Sequence, residues 1–182
     1  MRREITLRDG RSVLLRTATP EDAAGVLLLI DSVARERLYL LNTDAYWGLE
    51  GQRRWLSSVE CAGGTTLVAE ASDGEIVAWA DLSRPAAALA HHTATLGAGV
   101  LATYRNAGLG RALLAAIAEE ARGLGIEKLD LIVRSTNLRA IHVYESLGWQ
   151  HEGRSPHAYK QDGHYEDKLY MGLWLDQPED SE

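Results

Sequence analysis

Arg105-Asn106-Ala107-Gly108-Leu109-Gly110 is the stretch on which the reading of this chain turns. The residues before it, Ala94-Thr95-Leu96-Gly97-Ala98-Gly99-Val100-Leu101, read as a strand whose two glycines predict a bulge or a close approach of backbone to something else. Those after it set Leu109, Leu113, Ile117, Ala121 and Leu124 in a stripe of near-helical period, with Gly125 as the C-terminal cap. The glycines therefore fall at a strand-to-helix junction. A helix N-terminus carries unpaired N–H groups and a positive dipole end, and a turn without side-chain bulk lets those donors face an anion. Gly108 and Gly110 supply the missing bulk, and Arg105 and Arg111 supply charge. Glycines at such a junction also serve a tight turn and nothing more, so the six residues alone leave both readings open.

Two other phosphate motifs are excluded by context. No Lys follows Gly110, as a P-loop requires, and Gly97-x-Gly99-x-x-Ala102 lies inside the strand instead of opening a helix, as a dinucleotide fingerprint would. The 182 residues, 46% hydrophobic and 25% charged, fit one globular domain with a sizeable core. The net charge of −7 argues against nonspecific nucleic-acid binding. No apolar run reaches the roughly 18 residues of a membrane span, and Met1-Arg2-Arg3-Glu4 leads into alternating strand-like residues; with the lone Cys61, this predicts a cytoplasmic protein. The six histidines show no metal-ligand spacing, and no metal is expected.

Outward from the glycine turn, Ile5 to Leu7 and Ser12 to Arg16 flank Asp9-Gly10, which predicts an opening hairpin or one bent strand. Thr19-Pro20-Glu21-Asp22 starts a helix running to about Arg37. An aromatic stretch with Tyr39, Tyr46 and Trp47 leads to a second helix from Leu49 to about Ala62; these rings either close over a substrate or pack the helices together. Thr65 to Ala71 and Glu75 to Leu82 are strands, as is His92 to Leu101. Lys128 to Arg134 is parallel to that last strand because a whole helix connects them. A helix from Leu138 to Leu147, capped by Asn137 and Gly148, precedes strands at Trp149 to Gly153 and Lys168 to Leu175. Residues 1–176 form one domain on this reading, and the acidic tail 177–182 is expected to be disordered.

Asn137 and Tyr144 are seven residues apart, two helical turns, and so share a face on which Ala140 leaves room for a ligand. Each alone is explained as a cap or a buried ring. Together, Arg105-x-x-Gly108-x-Gly110 and Asn137-x-x-Ala140-x-x-x-Tyr144-x-x-x-Gly148-Trp149 resemble the GNAT superfamily of acyl-CoA-dependent N-acyltransferases, from Arg16 to Met171. The resemblance implies an α/β domain of α+β type: a mixed, mostly antiparallel twisted sheet of about seven strands, splayed at a cofactor cleft and flanked by about four helices. It implies that the backbone of Arg105, Asn106, Ala107, Gly108, Leu109, Gly110 and Arg111 holds the pyrophosphate of acetyl-CoA, the co-substrate. Gly99, Val100 and Leu101 would pair with the pantetheine arm, Asn137 would hydrogen-bond it, and Tyr144 would stand beside the sulfur.

The chemistry needs three helpers, for the amine's proton, the oxyanion and the leaving thiolate. A backbone N–H of Val100 or Leu101 serves the oxyanion, and Tyr144 is the acid. For the base, the strand offers no carboxylate where some members of the superfamily carry Glu; the candidates are His92, Asp81 and Glu70, with His92 the one chosen. Ala78 and Asn106-Ala107 depart from the Gly and Gly-Lys common in relatives without removing a donor from the turn. Tyr159 to Asp167, turning at Asp162-Gly163, is similar to a late hairpin in branches that acetylate amino acids, polyamines or protein N-termini. The expected activity is acetyl transfer to a primary amine of an amino acid or other small molecule. A protein N-terminus or lysine as acceptor, and a noncatalytic acyl-CoA-binding module, are the alternatives. Homodimers are common among similar proteins.

Overall fold

The computed structural model describes residues 1–42, 44–45 and 47–175, so Tyr46 and the acidic tail lie outside the described residues. Strands β1 (Arg2–Thr6) and β2 (Ser12–Thr17) make the opening hairpin, followed by α1 (Ala23–Arg35) and α2 (Gly48–Cys61). Then come β3 (Thr65–Ala71), β4 (Ile76–Ser83), β5 (Thr93–Val100), α3 (Leu109–Gly123), β6 (Lys128–Arg134), α4 (Leu138–Glu145), β7 (Gln150–Gln161) and β8 (His164–Trp174). All eight strands join one sheet in the order β1-β2-β3-β4-β5-β6-β8-β7. The opening hairpin supplies two separate strands, which brings the number to eight.

Local chemistry explains the element ends. Thr19 N–H donates to Asp22 Oδ2 at 2.7 Å and Pro20 stands in the first turn, where its missing donor costs nothing. Arg16 forks between Asp22 at 2.6 Å and Glu70 at 2.8 Å, pinning that helix start to the sheet. The last hairpin is longer than its apolar pattern indicates, because β7 carries polar, exposed residues out to the Asp162-Gly163 turn.

The sheet is covered on both faces. Val26, Leu29, Ile30 and Val33 of α1 pack with Val68, Ile76 and Trp79 on one face. Leu109, Leu113, Ile117 and Ala121 of α3 pack against Leu67, Val77, Leu82, Leu129 and Leu131 on the other. Leu124 lies past the helix end and is 38% exposed, so the buried stripe stops one residue short of the expected one.

Between the halves of the sheet is a wedge. β5 and β6 run parallel, as the connecting helix requires, but pair only from Thr93–Lys128 to Thr95–Asp130. Beyond that point β5 stays with β4 as far as Val100, and β6 stays with β8 as far as Arg134. The strands diverge, and α3 and α4 begin at the mouth of the opening.

Candidate active site

The wedge holds a cleft of about 650 Å³ lined by residues of β5, the glycine turn, α3 and α4. At its mouth the turn is shaped by two left-handed residues, Asn106 at φ 63° and Gly108 at φ 91°. Asn tolerates that conformation and Gly adopts it freely. Gly108 O accepts Ala112 N–H at 3.1 Å as the helix starts, so the N–H groups of Leu109, Gly110 and Arg111 have no partner within the helix. A Cβ at Gly110 would meet only Val100 Cγ2, at 3.8 Å. Ala107 is buried, and its carbonyl accepts Arg8 N–H at 3.0 Å, which ties the opening hairpin to the turn.

The charges around this cradle differ from those expected. Arg105 points elsewhere: its guanidinium is bidentate on Glu36 at 2.7 and 2.5 Å, its Nε donates to Val100 O at 2.8 Å, and it lies over the Tyr39 ring. Its charge is spent inside the protein. Arg111 lines the cleft and donates to Ser146 Oγ at 2.7 Å. Arg8, which the sequence reading passed over, also lines the cleft with no side-chain partner among the described residues. Arg8→Ala or Arg111→Ala is expected to raise the KM for a phosphate-bearing co-substrate by about three- to fivefold, more at low salt, with kcat kept. Steady-state kinetics at two ionic strengths check this; an unmoved KM removes the residue from the cradle.

Inside the cleft the strand edge is selective. Leu101 N–H donates to Val77 O at 2.9 Å, so by antiparallel alternation Gly99 and Leu101 commit their backbone groups to β4. Ala98 and Val100 therefore face the open side. Of the two N–H groups expected to serve an oxyanion, that of Val100 is turned to the cleft and that of Leu101 is used. Val100, with Ala98, takes the place at the open edge expected of Gly99 to Leu101.

From the far wall, Asn137 caps α4: its Oδ1 accepts Ala140 N–H at 3.2 Å. With the oxygen so used, its amide N–H groups are the remaining donors, and Asn137, Ala140 and Tyr144 all line the cleft. The Tyr144 ring packs on Trp149 with centroids 5.6 Å apart. Its hydroxyl has no hydrogen-bond partner among the described residues, and burial pushes its pKa up to about 12.

A second cavity, of about 470 Å³, lies on the α1–α2 side of the sheet. Trp47, Trp55 and Trp79 line it with Leu40, Gln52 and Asp81. Leu40 also lines the first cleft, so the two adjoin. What separates them is β5 at Gly97 and Gly99, where of the two expected alternatives the close approach holds and the bulge does not. The β4–β5 register is unbroken, without a bulge, and the close approach is to side chains. A Cβ at Gly97 would lie 2.5 Å from Asp81 Oδ1, and one at Gly99 would lie 2.1 Å from Trp79 Cζ3. The glycines admit Trp79 and Asp81. Asp81 is 8% exposed; burial raises its pKa to about 6 against the partial compensation of hydrogen bonds from Trp79 Nε1 at 3.2 Å and Ser83 Oγ.

Residues 33–149 match the acetyltransferase (GNAT) family. This chain belongs to that family. It is 27% identical over 172 residues to the L-methionine sulfoximine/L-methionine sulfone acetyltransferase of Pseudomonas aeruginosa, covering 91% of this chain and 96% of the relative. A GNAT-family acetyltransferase of Streptococcus pneumoniae superposes with a TM-score of 0.82 at 27% identity, covering 89% of this chain and 99% of the other. YncA of Salmonella typhimurium, solved with its cofactor acetyl-CoA, gives 0.83 at 22% identity over 91% and 95%. The family makes this chain an N-acetyltransferase with acetyl-CoA as co-substrate, and the wedge between β5 and β6 presents backbone and side-chain donors suited to its phosphates.

Two of the three candidate bases stand outside this acetyltransferase site. His92 is exposed at the start of β5, eight residues from Val100, which is roughly 26 Å along an extended strand. It belongs to the closed end of the wedge, where its carbonyl accepts Glu127 N–H at 2.8 Å. The assignment of His92 as base is therefore withdrawn. Glu70, on β3, is bonded to Arg16 of β2 and lines neither cavity. Asp81 remains. Cys61 is exposed at the end of α2, off both cavities.

Proposed function

We propose that this acetyltransferase moves the acetyl group of acetyl-CoA to the primary amine of an amino acid or other small molecule by direct attack on the thioester. The observation that carries the reading is the meeting of the two cavities at Gly97 and Gly99, with Asp81 on one side and Tyr144 on the other. The full-length likeness to an enzyme named for two small amino acid derivatives supports a small acceptor.

An amine with an ordinary pKa of about 10.4 arrives as an ammonium ion, and the Asp81 carboxylate takes its proton. The freed lone pair forms the C–N bond, and the carbonyl oxygen, becoming negative, is met by Val100 N–H. As the C–S bond breaks, Tyr144 O–H donates to the thiolate, and the second proton of the nitrogen restores the phenol through water. Between a phenol at about 12 and a free thiol at ~8.5, complete transfer runs uphill by about 5 kcal/mol. The phenol therefore contributes first as a hydrogen-bond donor, and the proton moves once desolvation has raised the basicity of the thiolate as well.

Tyr144→Phe is expected to lower kcat on the order of 10² while acetyl-CoA affinity is kept; unchanged turnover would remove the acid role. The activity itself is tested by release of free thiol from acetyl-CoA against amino acids, polyamines and short peptides. Turnover of small acceptors supports the proposal. Turnover of peptides alone moves the acceptor to protein N-termini or lysines, and none at all, with acetyl-CoA still raising Tm, favours a noncatalytic binding module.

A further inference from the structure

The second cavity carries more information about the acceptor than the family does. Its volume of about 470 Å³ lies in the lower half of the range usual for small ligands. Three indoles, Trp47, Trp55 and Trp79, form its walls with Ile30, Leu40 and Leu41. Such walls suit a flat apolar body and attract a cation to the ring faces.

Its polar groups are few and pointed. Gln52 is 1% exposed; its Oε1 accepts Trp47 Nε1–H at 2.7 Å, and its buried Nε2 has no hydrogen-bond partner among the described residues. An indole N–H can only donate, which fixes the amide oxygen toward it and leaves the two N–H donors for something else. A buried amide donor without a partner is costly, so an acceptor atom on a ligand would be strongly favoured there. The other polar side chains of the lining are the Asp81 carboxylate and Asn42, which is exposed.

No Lys, Arg or His is among the described residues lining this cavity. Of the cations on the two helices above it, Arg35 pairs with Asp31 and Arg53 with Glu50, while Arg54 is exposed and is not among the residues lining the cavity. Arg105, at the junction with the first cleft, is held by Glu36. A free amino acid brings a carboxylate two bonds from its nitrogen. With that nitrogen against Asp81, two anions would stand roughly 5 Å apart with no cation between them, a penalty on the order of 100-fold in binding at the effective dielectric of a protein site.

We propose that the acceptor is a primary amine with a flat apolar or aromatic body, one hydrogen-bond-accepting atom within reach of the Gln52 amide, and no carboxylate. The inference rests on the transfer reading above for the identity of this cavity as the acceptor site. It parts company with the Pseudomonas relative, whose named acceptors are amino acids.

The test measures kcat/KM by thiol release, at saturating acetyl-CoA, for phenethylamine, tyramine and tryptamine. Each is compared with the matching amino acid and its methyl ester, and L-methionine sulfone and spermidine are run beside them. Each amine is expected to exceed its amino acid by about 100-fold or more, with the ester regaining most of the difference. Amino acids turned over as well as their amines, or L-methionine sulfone or spermidine turned over better, would overturn the inference and leave the transferase standing. Calorimetric titration of the same amines separates the two readings. Amines that bind without turnover keep the ligand chemistry assigned to this cavity and remove the transfer reading; amines that neither bind nor react overturn the inference whatever else is acetylated. Gln52→Leu, of similar volume, is expected to shrink the preference for tyramine over phenethylamine by about fivefold. An unchanged ratio removes the amide from acceptor recognition.

Discussion

Asp81→Asn is expected to lower kcat/KM on the order of 10³ and, in the same protein at pH 7.5, to raise Tm by about 6–10 °C. The first effect follows if this carboxylate takes the proton of the acceptor amine. The second follows from burial. The folded protein holds the Asp81 proton up to about pH 6, above the range of an ordinary carboxylate, so the native state binds more protons than the unfolded chain between the two values. Stability from this group is present in full below the unfolded pKa and is lost as the pH rises through about 6. Near neutrality the ionised, buried carboxylate costs about 3 kcal/mol. Asn keeps the shape and can accept from Trp79 Nε1, but carries no charge. Melting curves at pH 7.5 and pH 4 check the assignment: the gain should vanish at the lower pH, and an equal gain at both would mean that charge is not its source. The pH profile of kcat/KM should have an acidic limb near 6 in the wild type that is missing in the variant.

Gly99→Ala should break the wall between the cavities. The added Cβ would lie 2.1 Å from Trp79 Cζ3 and 2.4 Å from Cη2, where carbon atoms need about 3.5 Å or more. The indole must move, yet it is 4% exposed, packed by α1, and bonded to Asp81. Overpacking of this kind costs about 1–3 kcal/mol. Acceptor turnover is expected to fall by more than 10² while acetyl-CoA affinity changes by less than about twofold, because the cradle and the Val100 edge lie on the other face. Adding Trp79→Leu should return most of the lost stability. Gly110→Ala is the contrast: its Cβ has ordinary room, and its melting temperature should match the wild type. A Gly99→Ala protein with normal acceptor kinetics would mean that Trp79 does not shape the acceptor site.

Much of the fold was legible because its signals are local. The Thr19-Pro20 start, the α3 stripe as far as Ala121 and the Asp162-Gly163 turn each depend on residues within a few positions, and each formed as read. The parallel β5–β6 pair followed from the connecting helix alone. The site was legible where two motifs constrain each other, at the glycine turn and along α4. It failed where the deciding partner is remote. Arg105 reads as a free cation until Glu36, 69 residues away, folds against it. His92 and Val100 belong to one strand, and strand membership says nothing about which end the wedge opens. A signal for Asp81 did exist: bulky residues at 79 and 81 alternate with the same period of two as glycines at 97 and 99, and antiparallel pairing sets them opposite each other.

The three-residue seam between β5 and β6 has a mechanical meaning. The strands β1 to β5 and β6 to β8 are each joined among themselves by long antiparallel ladders, so the molecule is two stiff plates riveted at one end of a shared border. An extended arm laid along Ala98 and Val100 would occupy the unsewn remainder of that border. The reactant then acts as a temporary strut: the empty protein should flex about the rivet, with fast amide exchange at Ala98 and Val100, and the loaded one should move as a single slab.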